Sequence, residues 1–468
     1  MEFRRRIGFT LIAVITLFLA GCGGSATTSS IAPGSVPVSL TMGDAPPSGV
    51  TVLSFEITVT GAVLQQSGGA TVSLLSSPTD VELSNLQTGT TLLNTSGAPA
   101  GTYQSVQVTF ANAELTIQNN SGATIDGCAN GQVCELKPSI SPATVAYSGA
   151  PFPLTLSAGS PTGLALDFNL GQSIQNDLSI SPSISFTQLQ VTSEGESEQL
   201  DHLDDLSGTV VAKGSNQFTL QNSNGQSYVI GVDSNTQYED FGSAGCSAAD
   251  FSCVAQNQNL EVSAGLMAGG SLVAKEVQLE GESNEEDLEG VVVSIESPTQ
   301  FNMVVLDEIP DISGIQVGNP ITVTIQAGAT FLVDNSIGVS IPAADVFATA
   351  ADLMVGQEVQ VRRLSAGSTG TSVATDQLTL KPSEVTASVD AVQSSSAFTL
   401  NNLPALFTAA SPSVNQISVL TSSVTTYEDV TGVGGLSAGD NVSVKGLLFK
   451  TVTVPQVPDL IAEKVRKR

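Results

Sequence analysis

One hydrophobic pattern recurs three times in the second half of this 468-residue chain, and it constrains the fold more than any other feature. In each copy a hydrophobic strand precedes a turn, and a phenylalanine stands in the strand that follows. The aligned phenylalanines are Phe218, Phe301 and Phe398. Units of about 80 residues can close a hydrophobic core of their own, unlike shorter solenoid repeats. The pattern predicts three small, OB-like β-barrels, at residues 206–281, 282–381 and 382–468.

A second aromatic position recurs later in each unit, shortly after a threonine. The aromatic residues at this position are Tyr238, Phe331 and Tyr427. A position that is repeated in every unit favours packing of the unit over one special site. We therefore interpret all three side chains as core residues.

Short alternations of β-branched and polar residues fill the chain before the repeats, over residues 36–193. They are bounded by Gly, Pro, Asn and Ser, and long helical periodicity is hard to find after residue 35. This spacing suits an antiparallel β-sandwich. The predicted fold class is therefore all-β, with a sandwich followed by three barrels.

Two acidic segments separate the predicted domains, one at residues 194–205 and one from Glu280 to Asp287. Neither has the D-x-D-x-D-G order of a calcium loop, although alternating carboxylates leave calcium binding open. Repulsion between the carboxylates and their solvation favour an interpretation of both segments as solvent-exposed spacers. We therefore expect exposed junctions, with barrels that stand in a row and unfold independently.

The N-terminus has the features of an export signal. Arg4, Arg5 and Arg6 precede an apolar segment, residues 7–20, that is too short for the roughly 20 residues of a membrane-spanning helix. The sequence Leu-Ala-Gly-Cys at residues 19–22 resembles the lipobox of bacterial lipoproteins, and an ordinary secretory peptide is the alternative. We predict a signal peptide at residues 1–21, lipidation of Cys22, and a flexible tether at residues 22–35.

The predicted lipid sets the location and one partner of the protein. A cysteine with two or three acyl chains remains in a membrane almost permanently, because each buried methylene contributes about 0.8 kcal/mol. We therefore expect a bacterial cell-envelope protein whose partner is the membrane. Gly23, and not aspartate, follows the cysteine, which predicts outer-membrane delivery in a host with two membranes. Whether the protein faces the periplasm or the exterior stays open.

The charge balance excludes one class of partner. Without residues 1–21 the chain keeps 12 basic and 43 acidic residues, a net charge of about −31. Such a surface repels phosphate backbones, so we expect no nucleic-acid binding. A glycan or an envelope protein is the expected class of external partner.

Four cysteines besides Cys22 form two close pairs in the sequence, Cys128 with Cys134 and Cys246 with Cys253. In an exported protein this spacing favours two local disulfides. A zinc site would need all four thiolates to converge from distant segments, without the CxxC pairs usual for zinc. We predict the two disulfides and no metal site.

The first domain resembles a bacterial family known as domain of unknown function 4382. The resemblance depends on LTMGDAP from Leu40, FEITVTGAVLQ from Phe55, VELSNLQTG from Val81 and PAGTYQSVQVTF from Pro99. It implies a β-sandwich near the N-terminus of a lipoprotein, sometimes likened to carbohydrate-binding folds. It implies no reaction.

The three later units resemble domain of unknown function 5666, a small β-barrel module of exported bacterial proteins. Its hallmark is a leucine, a glycine and two valines before a last strand with an alanine. These residues are Leu353, Gly356, Val359, Val361 and Ala374 in one unit, and Leu436, Gly439, Val442, Val444 and Ala462 in another. The first unit has Gln256 and Asn257 where the glycine would stand, so we expect its last hairpin to turn differently. This family also carries no assigned chemistry.

Candidate catalytic and binding residues are few. His202, the only histidine, stands among acidic residues in the first spacer, and no G-x-S-x-G elbow accompanies it. Asp44 suits a turn better than a ligand contact, and Tyr103 suits core packing better than stacking on a sugar. Without tryptophan, the chain lacks the usual aromatic lining of a glycosidase cleft. We therefore expect no enzyme activity, no catalytic residue and no cofactor.

These observations lead to a function that involves no catalysis. We expect a lipid-anchored cell-envelope protein that presents β-modules in a structural or adhesion role. The alternative is a lipoprotein that binds an extracellular glycan or another ligand, an expectation based on fold-level analogy alone. The sequence does not identify the ligand-binding residues.

Overall fold

Two long strands, β2 (Val50–Gln66) and β6 (Gly101–Asn119), form the centre of the N-terminal domain in the computed structural model. Buried residues such as Val106, Val108 and Phe110 alternate along β6, as a strand with one face on a core requires. Five short strands complete this sheet: β3 (Thr71–Ser73), β4 (Thr79–Glu82), β7 (Val133–Leu136), β8 (Thr144–Tyr147) and β9 (Leu154–Leu156).

A second sheet packs against the first and completes a β-sandwich. Its strands are β1 (Ser35–Gly43), β5 (Thr91–Pro99), β10 (Thr162–Phe168) and β11 (Ile184–Gln190), in the order β11-β10-β1-β5. Phe55, Phe110 and Phe168 meet in the shared core. The sandwich is therefore confirmed, although β1 runs parallel to β10, where the sequence predicts antiparallel pairing throughout.

The structure describes residues 35–43, 50–190, 203–222, 225–239, 241, 245–267, 271–281, 286–310, 312–334, 338–451 and 457–468. Short helices connect some of the strands. The α-helical turns are α1 (Leu170–Ser173) and α2 (Ala405–Thr408), and the 3-10 turns are Ser84–Leu86, Phe251–Cys253, Ala350–Asp352 and Val433–Gly435.

Three barrels follow the sandwich. The first contains β12 (Leu203–Lys213), β13 (Gln217–Gln221), β14 (Ser227–Gly231), β15 (Gln237–Glu239), β16 (Asn259–Leu266) and β17 (Leu272–Gly281). The second contains β18 (Glu286–Ser297), β19 (Gln300–Ile309), β20 (Pro320–Val333), β21 (Glu358–Thr369) and β22 (Ser372–Lys381). The third contains β23 (Ser383–Ser394), β24 (Ala397–Asn401), β25 (Ile417–Leu420), β26 (Thr426–Glu428), β27 (Asn441–Phe449) and β28 (Asp459–Lys467).

The same pairing scheme closes each barrel. The first strand pairs with its successor and with the penultimate strand, and a parallel pair completes the ring: β14 with β17, β20 with β22 and β25 with β28. The repeated phenylalanines are all buried, each in the core of its own barrel: Phe218, Phe301 and Phe398. The repeated aromatics that follow a threonine pack against these cores: Tyr238, Phe331 and Tyr427. The three predicted barrels are thus confirmed.

The turn that leads into the last hairpin of the first barrel does not differ from its counterparts, while the tip of that hairpin, residues 268–270, lies outside the described residues. The residue at the hallmark glycine position has a left-handed backbone in all three barrels, with φ of 70° at Asn257 and 88° at Gly356 and Gly439. Its N–H donates to an equivalent strand carbonyl each time, at 2.8 Å to Val210, 2.9 Å to Val292 and 2.8 Å to Val389. Asparagine can replace glycine here because its short polar side chain tolerates this conformation.

The barrels do not stand apart in a row, because the sandwich contacts all three. Gln226 Nε2 of the first barrel donates to the Leu93 carbonyl at 3.0 Å, and Thr116 Oγ1 of the sandwich donates to the Gly318 carbonyl of the second at 2.6 Å. Leu53 of the sandwich packs with residues of the second barrel and with Leu406 from α2 of the third. The four domains therefore form one packed body.

The interpretation of the acidic segments as solvated spacers is also wrong in the part that the structure describes. The Glu280 side chain is only 2% exposed and pairs with Lys381 of the second barrel. Strand β12 begins at Leu203, inside the first predicted spacer, whose residues 194–202 lie outside the described residues. Burial of an unpaired carboxylate is costly, and the ion pair with Lys381 offsets this cost for Glu280.

Candidate functional site

A cavity of about 840 Å³ lies between the sandwich and the three barrels, and we call it the central cavity. Its walls carry twelve carboxylate side chains. They are Glu56, Asp80 and Glu82 from the sandwich, Glu261 and Glu276 from the first barrel, Glu289, Asp307, Glu308, Asp334 and Glu358 from the second, and Glu384 and Glu463 from the third. Lys381 and Lys445 are the basic side chains among the described lining residues. The cavity is therefore strongly acidic.

Lys381 joins the first and second barrels at the wall of this cavity. Its Nζ lies 2.9 Å from Asp334 Oδ2, 3.0 Å from Glu261 Oε2 and 3.2 Å from Glu280 Oε1. Glu289 Oε2 is more distant, at 3.9 Å. Glu261 and Glu280 belong to the first barrel, while the lysine and the other two acids belong to the second. We call these five residues the Lys381 cluster.

Local structure positions the members of the Lys381 cluster. Lys381 ends β22 and Asp334 directly follows β20, and these two strands are parallel neighbours. The Asp334 backbone N–H donates to the Leu380 carbonyl at 2.9 Å, and its Oδ2 accepts from Gln278 Nε2 of the first barrel at 3.1 Å. Both side chains are 3% exposed, so the ion pair is shielded from water.

The environment of Lys381 keeps it charged. Burial alone would lower the pKa of the Lys381 ammonium, because it penalises the charged form. The surrounding carboxylates outweigh burial and raise this pKa well above its ordinary value. Burial in turn raises the pKa of Glu280 and of Glu289 well above the ordinary value, since one lysine cannot balance every acid around it.

Carboxylates elsewhere in the cavity also have raised pKa values. Burial, followed by the charges of Glu82 and Asp80, raises the pKa of Glu56 to about 8. Burial likewise raises the pKa of Asp307 to about 6, against hydrogen bonds that lower it. Near neutral pH Glu56 therefore keeps its proton, while Asp307 is mostly ionised.

Two other carboxylates of the cavity accept hydrogen bonds from backbone N–H groups. Glu384, at the start of the third barrel, accepts hydrogen bonds from the backbone N–H groups of Gln87 at 2.9 Å and Thr88 at 3.1 Å in the sandwich. Within the sandwich, Glu82 accepts from the Phe55 N–H at 3.0 Å and from the Ser54 hydroxyl at 2.7 Å. These bonds fix the cavity wall where the sandwich meets the third barrel.

The residues singled out in the sequence lie away from the cavity or outside the described residues. Tyr103 is fully buried in the sandwich core, and its hydroxyl donates to the Pro99 carbonyl at 2.8 Å, so packing is its role. Cys22, Asp44 and His202 lie outside the described residues. The lipidation of Cys22 stays a prediction.

The four remaining cysteines form the disulfides Cys128–Cys134 and Cys246–Cys253, with Cα–Cα distances of 5.9 and 5.6 Å. In the part of the chain that the structure describes, no group of three or more His, Cys, Asp or Glu side chains has an arrangement that could hold a metal ion. No helix among the described residues is long and apolar enough to cross a bilayer.

Sequence reasoning missed the Lys381 cluster, since its members stand on the outward faces of barrel strands. Glu261, Glu289 and Lys381 alternate with core residues, a pattern that normally indicates contact with water. One signal was available. Lys381 ends the second repeat, where its barrel must meet the next domain, and it is one of few basic residues in a very acidic chain.

Comparison with protein families identifies the modules. Residues 35–187 match the family described as Domain of unknown function (DUF4382), and residues 207–278 and 387–451 match Domain of unknown function (DUF5666). The second barrel lies between the two DUF5666 segments and shares their strand order. No curated protein and no solved structure matches the chain.

Proposed function

We propose that this chain, which carries one DUF4382 domain and DUF5666 modules, is a lipid-anchored cell-envelope protein with a structural role and no catalysis. The observation that supports this role is the contact of the sandwich with all three barrels. Hydrogen bonds and apolar contacts between domains hold the four domains in one packed body, which suits a scaffold or an adhesive surface. The lipobox-like sequence before Cys22 supports the anchor and, with Gly23, the outer membrane.

Replacing Cys22 with serine is expected to move the protein from the membrane fraction to the soluble fraction. Serine has no thiol to accept the diacylglycerol, so the acyl chains that hold the protein on the membrane would be lost. Immunoblotting of both fractions measures the change. Cys128→Ser, which removes a disulfide and leaves the anchor, is the matched control and should stay in the membrane fraction.

Membrane retention of the Cys22→Ser variant would contradict the anchor. Sucrose-gradient fractionation of wild-type cells tests the proposed location separately. Co-migration with outer-membrane markers is the expected result, and co-migration with inner-membrane markers would contradict it.

The central cavity favours a second candidate function, the binding of a cationic small molecule. Ligand sites prefer domain interfaces and have volumes of about 300–1,000 Å³, which the central cavity matches at about 840 Å³. Its carboxylates outnumber its lysines, so the complementary ligand carries positive charge. The ligand in this candidate function is a cation that complements the acidic cavity, and not the glycan expected from the sequence.

Isothermal titration calorimetry with spermidine tests this second candidate. We expect saturable binding that weakens at least tenfold in the double variant Glu261→Gln/Glu276→Gln, since both residues line the cavity. Glu296→Gln/Asp177→Asn removes the same number of carboxyl groups from exposed positions and should leave the affinity unchanged. Equal weakening in both double variants would show binding to the overall charge and not to the cavity.

A further inference from the structure

Glu276 stands where the three barrels meet at the central cavity. It belongs to β17 of the first barrel, and acids from several elements face it. They are Glu261 from β16, Glu239 from β15, Asp334 after β20 of the second barrel and Glu463 from β28 of the third. Lys381 of the second barrel pairs with two of these acids, Asp334 and Glu261. Lys445 of the third barrel lies close enough to Glu261 to stabilise its charge.

The other two barrels show what the fold accepts at this position. In the last strand of each barrel, a buried residue pairs with the second repeated aromatic, which is Tyr238, Phe331 or Tyr427. The equivalent position in each barrel is the residue directly before this buried residue. This preceding residue is Glu276 in the first barrel, Gln377 in the second and Lys464 in the third. In the third barrel Lys464 Nζ lies 3.3 Å from Glu428 Oε2. The same place therefore holds a cation, a neutral amide or, in the first barrel alone, an acid.

The Glu276 side chain is poorly compensated. Its Oε1 is buried and accepts no hydrogen bond from the described residues. The pKa of Glu276 is raised to about 8, mainly by burial and further by the charges of the four facing acids. A protonated Glu276 thus suits this junction, and an ionised one adds a charge that repels the second and third barrels.

We propose that Glu276 is a proton-dependent switch that holds the three barrels closed around the central cavity when it is uncharged and loosens their junction when it ionises. In the uncharged form the side chain adds no repulsion to the facing acids of the other two barrels. Loss of the proton to water leaves a carboxylate opposite Asp334 and Glu463, and separation of the barrels then admits water and relieves the repulsion. The proposal does not depend on any ligand of the cavity.

The direction of the pH effect follows from proton linkage. The folded protein binds this proton more tightly than the unfolded chain, whose glutamate has its ordinary pKa of 4.5. The penalty from Glu276 is absent below that pH, grows as the pH rises to about 8, and is constant above it. Within this window the group changes the unfolding constant by up to about tenfold per pH unit.

Two substitutions taken from the chain's own repeats test the switch in the full-length protein. Glu276→Gln reproduces the second barrel and Glu276→Lys the third, and neither can gain a negative charge. Urea unfolding between pH 5 and pH 9 measures stability, and hydrogen exchange of β17 and β28 measures opening of the junction. We expect Glu276→Gln to match the wild type near pH 5. Near pH 9 both variants should exceed the stability of the wild type, and both should lose its pH-dependent increase in exchange.

Glu296→Gln is the matched control, because Glu296 is an exposed glutamate of the second barrel. It removes one negative charge and should keep the wild-type pH dependence. Parallel pH profiles for the wild type and Glu276→Gln, with equal exchange in β28, would overturn the proposal. If the Glu276 variants do not fold, Glu463→Gln removes the facing charge of the third barrel. Its failure to reduce the exchange of β28 near pH 9 would overturn the proposal equally.

Discussion

Replacement of Lys381 with methionine is expected to destabilise the protein by about 3–5 kcal/mol. Methionine fills a similar volume but has no charge, so Asp334, Glu261 and Glu280 would lose the cation that lies within 3.2 Å of each. Buried carboxylates without a partner carry an uncompensated desolvation penalty. Urea unfolding followed by far-UV circular dichroism near pH 7 measures the loss.

Lys137→Met is the matched control for this prediction. Lys137 also forms an ion pair, with Glu114 at 2.7 Å, but its side chain is 65% exposed. Exposed pairs contribute less than about 1 kcal/mol, so this variant should unfold almost as the wild type does. A Lys381→Met variant as stable as Lys137→Met would show that the Lys381 cluster does not hold the two barrels together.

Phe301→Ala is expected to destabilise the second barrel by about 3–5 kcal/mol and to weaken the third barrel with it. The Phe301 ring is fully buried, and its core also contains Leu447, Phe449 and Ile461 from the third barrel. A cavity in this core removes contacts from both barrels at once. Hydrogen exchange read strand by strand should show faster exchange in β27 and β28 as well as in β19.

Phe218→Ala provides the comparison, because Phe218 has the same repeat position and is also buried. Among the described residues, its core draws on the first barrel and the sandwich and contains no side chain of the third barrel. Its effect should leave the exchange of β27 unchanged. If Phe301→Ala also left β27 unchanged, the barrels would be independent after all, as the sequence alone suggests.

The fold class of each module could be predicted from the sequence, although the parallel pairing of β1 with β10 in the sandwich could not. The aligned positions of Phe218, Phe301 and Phe398 depend on hydrophobic periodicity, which is a local property and is the same in every copy. The disulfides follow equally from local spacing. These features need no knowledge of how one module meets another.

The packing between modules could not be predicted in this way. The strand pattern predicts that the outward-facing Glu261 and Lys381 contact water, because it does not show that another domain covers them. Acidic residues around Glu280 resemble a spacer for the same reason. The turn at Asn257 could not be predicted for another reason, because asparagine adopts the same left-handed backbone conformation as the hallmark glycine of the other two barrels.

The contacts of the 3-10 turn Ser84–Leu86 and the residues after it have a consequence for biosynthesis. Thr88 bonds Glu384 across 296 positions of the chain, and Arg468 Nη2 donates to the Gln87 carbonyl across 381 positions. At about 5–20 residues per second, synthesis of the intervening chain takes on the order of 15–60 seconds or more. During that time the backbone groups of Gln87 and Thr88 in the folded sandwich lack their partners from the third barrel. The growing chain therefore leaves this surface of the sandwich uncovered until its last barrel has been synthesised.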